Sequence, residues 1–173
     1  MKKIFTSMAL ALVTMAMSAQ VYVGGGINAW RDHDNNKTTA GISPEVGYKL
    51  NDRWAIGMGL DCQYTYDNGS DIYRVAAMPY ARYTAAKMGP VSIFADCTGG
   101  VAVNKINGGS SYTSWQVGIK PGVMVTLTQR LSFLAHTGFL GYRDTDKYNY
   151  FGDSGFGLDM STADLSFGLL WNF

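Results

Sequence analysis

The chain has 173 residues, of which 47% are hydrophobic, 13% aromatic and 16% charged, with a formal net charge of +1. That length holds one ordinary domain, and the near-neutral balance excludes nucleic acid as the main partner. Charged residues fall below the quarter usual in soluble domains. Even so, no apolar run reaches the roughly 20 residues a spanning helix needs.

The first element in chain order is an address segment. Lys2 and Lys3 precede the apolar stretch 4–17 and then Ser18-Ala19-Gln20. A short basic region, an apolar core too short to span and small residues before a polar one describe a secretory signal peptide. Residues 1–19 are therefore expected to be removed, leaving 20–173 as a single exported domain.

After Gln20 the sequence alternates with a period of two. Trp54, Ile56, Met58, Leu60, Cys62 and Tyr64 share one face, opposite Ala55, Gly57, Gly59, Asp61 and Gln63. The same pattern predicts strands over 21–29, 42–50, 54–64, 74–83, 91–101, 115–125, 131–139 and 165–173, each with one apolar face. Connections 51–53, 86–90 and 127–129 are short, whereas 31–40, 66–72, 104–113 and 143–161 are long. Short turns on one rim and long loops on the other suit an up-and-down meander with differing surroundings at its two ends. Pro44, Pro79 and Pro121 fall on the apolar parity of even-numbered strands, where the missing N–H predicts local bulges. Cys62 and Cys97 fall on strands that are not neighbours, which predicts two free thiols facing apolar surroundings.

Three observations place the apolar face outside. The opposite parity is dominated by Gly, Ala and Ser, which suit the cramped interior of an eight-stranded barrel. All the mid-strand charges (Glu45, Lys49, Asp61, Arg74, Arg82, Asp96 and Lys120) lie on that same parity. A charge facing lipid at mid-membrane costs roughly 2–4 kcal/mol, so an unbroken apolar face is what a bilayer selects. Aromatics gather at strand ends, with Tyr48, Trp54, Tyr83 and Trp171 on the short-turn rim and Tyr64, Tyr66, Tyr73, Tyr112 and Trp115 on the other, as membrane interfaces favour. The expected fold is all-β, an eight-stranded antiparallel up-and-down transmembrane β-barrel.

The signal segment, the eight alternating strands and the terminal Leu165-Ser166-Phe167-Gly168-Leu169-Leu170-Trp171-Asn172-Phe173 resemble the small outer-membrane barrels of Gram-negative bacteria, the group containing the barrel domains of outer membrane proteins A, X and W. The end of the signal is similar to those of the Bacteroides group. The resemblance implies location in the outer membrane, contact with its lipid and lipopolysaccharide, and delivery by the barrel-assembly machinery, with Trp171 and Phe173 as the recognised terminal signal.

Within the lumen, Glu45, Asp61, Arg82, Asp96, Lys120 and His136 fall at similar heights, and Arg82–Asp96 and Asp96–Lys120 sit on neighbouring strands. Charges withdrawn from water must be paired or neutralised, so this set is expected to form a polar plug. His136 is expected to join that network rather than bind metal, because no second His or Cys shares its face. Enzymes among such barrels modify lipid A with His, Ser and an acidic residue near the outer rim. Here His33 lies with Asp32 and Asp34 in one loop and Ser70-Asp71 in another, with nothing visible to hold them together, and His136-Thr137-Gly138 lacks a Ser two places after His. The reading is a non-enzymatic barrel without cofactor, structural or interacting through its outer loops. The segment 143–161, with Tyr148, Tyr150, Phe151 and Phe156, is either a contact for a surface ligand or a hairpin in which strands seven and eight extend past the membrane. The alternatives are a narrow pore gated by lumen charges and, third, a lipid A-modifying enzyme.

Overall fold

A strand that crosses lipid must satisfy every backbone group on its neighbours, and only a closed sheet does so without an edge. The computed structural model describes residues 20–32, 37–67, 69–107, 111–145, 151, 153–160 and 166–173. They form one antiparallel sheet of β1 (Val21–Asp32), β2 (Lys37–Lys49), β3 (Trp54–Asp67), β4 (Ser70–Met88), β5 (Val91–Ile106), β6 (Ser111–Thr126), β7 (Leu131–His136), β8 (Phe139–Asp144), β9 (Gly155–Asp159) and β10 (Ser166–Asn172). Each of β1 to β6 pairs with the next. Both β7 and β8 pair with β6, while β9 pairs with β8 and β10 with β7. The seventh and eighth strands of the barrel are thus each written in two pieces, and β10 closes on β1 from Tyr22–Asn172 to Gly25–Leu169. The fold is a closed eight-stranded antiparallel β-barrel. The signal segment 1–19, His33, Asp34, Tyr148, Tyr150 and Leu165 lie outside the described residues.

The wall is turned inside out relative to a soluble barrel. Ile56, Met58 and Leu60 of β3, Val101 of β5 and Val117 and Ile119 of β6 are all more than 40% exposed, whereas Arg82, Asp96, Thr98, Ser114 and Gln116 are buried. Cys62 and Cys97 are free and on the exposed face.

Three sequence expectations need correction. The outer connections are shorter than 31–40, 66–72, 104–113 and 143–161 implied, because the strands run on. β3 reaches Asp67 and β4 begins at Ser70, and Gly155–Asp159 of the last connection pairs with Phe139–Arg143. Around Pro44 and Pro79 the ladder lapses for two residues without changing register, and the one shift in β4 falls later, between Thr84 and Ala86.

Pro121 acts on its neighbour instead. Between the pairs Ile119–Leu140 and Gly122–His136 the seventh strand carries one residue more than β6. Proline offers no N–H at this point; its carbonyl accepts from Thr137 N at 2.9 Å, and Gly138 takes φ +73, a conformation glycine adopts without steric cost. The extra residue reverses the parity beyond it. Phe139, expected on the outer face, is 2% exposed and points inward.

Candidate functional site

The half of the lumen nearest the short turns is filled with side chains. Tyr22, Phe94, Leu134 and Leu170 are each no more than 2% exposed, with Tyr80 and Met124 packed against them. Large groups fit in so narrow a barrel because each stands opposite a glycine in register. Tyr22 faces Gly47, Tyr80 faces Gly57, Phe94 faces Gly122 and Leu170 faces Gly24. A Cβ built on any of these four glycines would run into the facing side chain, so the ring lies flat where a neighbouring side chain would otherwise stand.

On this floor sits an ionic cluster drawn from four strands. Arg82 of β4 donates from Nε to Asp96 Oδ1 and from Nη2 to Asp96 Oδ2, both at 2.8 Å. It also reaches Glu45 Oε1 of β2 at 3.3 Å. His136 of β7 lies 2.8 Å from Asp96 Oδ2 through Nε2 and meets the Phe94 ring edge-on at 5.3 Å. Tyr80 donates its hydroxyl to Glu45, which leaves Tyr22 the donor across the 2.8 Å contact between the two tyrosines. The guanidinium carbon of Arg82 is 4.4 Å from the centre of the Phe94 ring and 4.9 Å from that of Tyr80, the range of a cation–π contact. Both Asp96 oxygens and Glu45 Oε1 are thus met by donors, as a desolvated charge requires.

The remaining predicted charges are spread along the wall. Asp61 accepts from Ser43 at 2.8 Å, and Arg74 donates to Gln63 at 2.9 Å. Lys120 is the register partner of Asp96, and its Nζ lies 6.0 Å from the centre of the Phe139 ring. Lys49 stands at the end of β2, half-buried at the short-turn rim. Sequence reasoning missed Arg143, which is 8% exposed, ion-paired with Asp159 at 3.2 Å and stacked 4.2 Å from the Phe139 ring. It also missed Gln116, 2% exposed and the register partner of Arg143. Polar parity in β6 could have found Gln116; Arg143 was taken as the first residue of the connection 143–161, whereas the strand runs on to Asp144. Above the cluster Asp61, Arg74, Gln116, Lys120 and Arg143 line a cavity of about 720 Å³.

At the rims, Trp54 packs on Tyr83 with ring centres 4.9 Å apart and Tyr64 on Tyr73 at 5.3 Å. Trp115 packs on Tyr142 at 5.2 Å and donates its indole N–H to Asp144 at 3.1 Å. Tyr48 donates to Gln20. From Trp54 to Tyr64 along β3, at about 3.3 Å per residue and a tilt of about 40°, the two belts stand about 25 Å apart. That is the height of the apolar band of an outer-membrane barrel. Trp171 pairs with Val23 and Leu131, and Phe173 N donates to Val21 O at 3.2 Å. Of the residues weighed for catalysis, Asp71 accepts the Tyr64 hydroxyl at 2.6 Å, and His136 belongs to the ionic cluster.

Among solved structures the chain is similar to OmpT, an outer membrane protein of Vibrio cholerae, with a TM-score of 0.41 and 16% identity. The match covers 88% of this chain and 51% of the other, so the chain spans about half that structure's length. Nothing matches among curated proteins. The family model described as the outer membrane protein beta-barrel domain matches residues 4–173. With its closed wall, its apolar exterior and this match, the chain belongs to the outer membrane protein β-barrel domain family and resides in the outer membrane.

Proposed function

We propose that this protein is a non-enzymatic scaffold of the outer membrane whose lumen is closed to ions and whose outward strand ends provide a contact surface. The observation that carries the reading is the Arg82 cluster. One guanidinium ties β4 to β2 and β5, and Asp96 extends the tie to β7, directly above a floor of buried rings. Eight strands enclose little more than room for side chains, and here the end nearest the short turns is taken by Tyr22, Tyr80, Phe94, Leu134 and Leu170. Catalysis would need a base, a nucleophile and an orienting acid within hydrogen-bond reach; among the described residues His136 is committed to Asp96 and Asp71 to Tyr64.

The contact surface of this reading is the outer end of the barrel. The β3–β4 hairpin continues past the Tyr64–Tyr73 pair to Asp67 and Ser70, and β9 presents Phe156 79% exposed opposite Tyr142. Large exposed aromatics at that height suit lipopolysaccharide or a surface ligand.

Single-channel recording in a planar bilayer tests the proposal. The wild type, shown to be folded by heat-modifiable gel migration, is expected to stay silent. Reproducible current steps that change size in Arg82→Lys would overturn it and make the cluster the gate of a narrow pore.

A further inference from the structure

We infer that the chamber above the plug is a binding site for an anionic group, a phosphate or carboxylate, held by side-chain donors of β4, β6 and β8. Among the described residues lining the chamber, the buried side-chain atoms with no hydrogen-bond partner are Arg74 Nε, Gln116 Nε2 and Arg143 Nε. All three are donors. Gln116 and Arg143 are 2% and 8% exposed and stand side by side in register, so neither can swing out to bulk water. The other ends of the arginines are fixed, Arg74 Nη1 on Gln63 and Arg143 Nη1 on Asp159. Each guanidinium is therefore held with its Nε edge unspent. Two positively charged donors and one amide donor lining one chamber call for a ligand that brings several acceptors and negative charge. Outside the Arg82 cluster the acidic side chain in the described lining is Asp61, which accepts from Ser43 through Oδ2.

Two sources could supply such a group. A solute anion would enter from the outer end. A membrane amphiphile would reach the chamber sideways, because an apolar groove of about 550 Å³ on the outer face shares Gly25, Gly26, Ile27, Phe167 and Gly168 with the chamber lining. At this seam the pairing of β1 with β10 stops at Gly25–Leu169, although β10 continues to Ser166.

The test follows the Nε–H resonances of Arg74 and Arg143 by NMR in protein purified from the outer membrane in non-ionic, phosphate-free detergent. Saturable shifts of both on titration with inorganic phosphate support the site and assign it to a soluble anion. Shifts seen only after transfer into phosphatidylcholine vesicles containing phosphatidylglycerol, and not into phosphatidylcholine alone, support it and assign a lipid headgroup. Arg74→Lys keeps the charge but removes Nε, and binding is expected to weaken at least tenfold. Gln116→Leu is expected to do the same, with folding verified by heat-modifiable migration. Resonances of the wild type that move in neither titration mean that only water meets these donors, and the inference is then wrong whatever the variants do.

Discussion

Arg82 and Asp96 stand opposite each other in β4 and β5 and meet twice, Nε on Oδ1 and Nη2 on Oδ2, each at 2.8 Å. The pairing is bidentate and almost wholly withdrawn from solvent, with side-chain exposures of 5% and 4%. Its importance lies in what each partner would become alone. Arg82→Ala strands two carboxylates, Asp96 and Glu45, against the ring floor. Breaking one member of such a set costs about 3–5 kcal/mol, and the loss should appear as a lower urea midpoint for unfolding in detergent. Arg82→Lys keeps the charge but not the planar fork or the stacking on Phe94 and Tyr80, so its midpoint should fall between the two.

The glycine–ring pairs make a second prediction. Gly122→Val places two methyl groups where the Phe94 ring lies. Overpacking of this kind costs about 1–3 kcal/mol. Combining it with Phe94→Ala should recover part of the loss, because the cavity and the added volume coincide. A double-mutant cycle on unfolding midpoints reads the coupling, and additive losses would show that the two sites do not share space.

Much of this was legible in the sequence. Parity alone placed Arg82, Asp96 and His136 on the inner face, because a strand shows successive side chains to opposite sides and lipid tolerates no charge on the other. The ring–glycine pairs were less legible. Tyr22, Tyr80, Phe94 and Leu170 sit on the small-residue parity, but the register that sets each against its glycine depends on turn geometry rather than on composition. Phe139 was misread because Pro121 withholds an N–H, its neighbour takes an extra residue at Thr137-Gly138, and parity counted along the seventh strand fails beyond that point; Arg143 was missed because it was read as the start of the last connection, where the strand in fact runs on to Asp144. The other hairpins were underestimated because strands continuing above the bilayer lose the apolar face that marks them in lipid, whereas the extension of strands seven and eight was one of the two readings open for 143–161.

The apolar face should tolerate charge according to depth. Ile119, 44% exposed, lies midway along β6, whereas Leu127, 54% exposed, lies in a short turn beyond the belt. Ile119→Arg should cost about 2–4 kcal/mol and Leu127→Arg about 0–1 kcal/mol, measured by unfolding from vesicles. Equal costs would place the bilayer elsewhere on the wall.

The thiols report the same boundary independently. Cys97 is the register partner of Ile119, and Cys62 lies on the same outward face of β3. In vesicles both should resist a charged, water-soluble maleimide and react with a membrane-permeant one. In the urea-unfolded chain both reagents should label equally. Fast labelling of the folded protein by the charged reagent would mean that these faces meet water.

The end of the chain carries two separable expectations. Phe173 helps close the barrel, since its N–H reaches Val21 O at 3.2 Å, but that contact uses the backbone and survives a change of side chain. The ring itself is 44% exposed and Trp171 42%, both on the outward side where little of the fold depends on them. If the two rings serve as the signal read by the assembly machinery, Phe173→Ala should refold in detergent to the same heat-modifiable form with an unchanged urea midpoint. Its yield in the outer membrane of cells should nevertheless fall several-fold, with unfolded chain accumulating before insertion. A parallel loss in refolding and in cells would instead make the ring part of the seam between β1 and β10, and its role would then be closure rather than recognition.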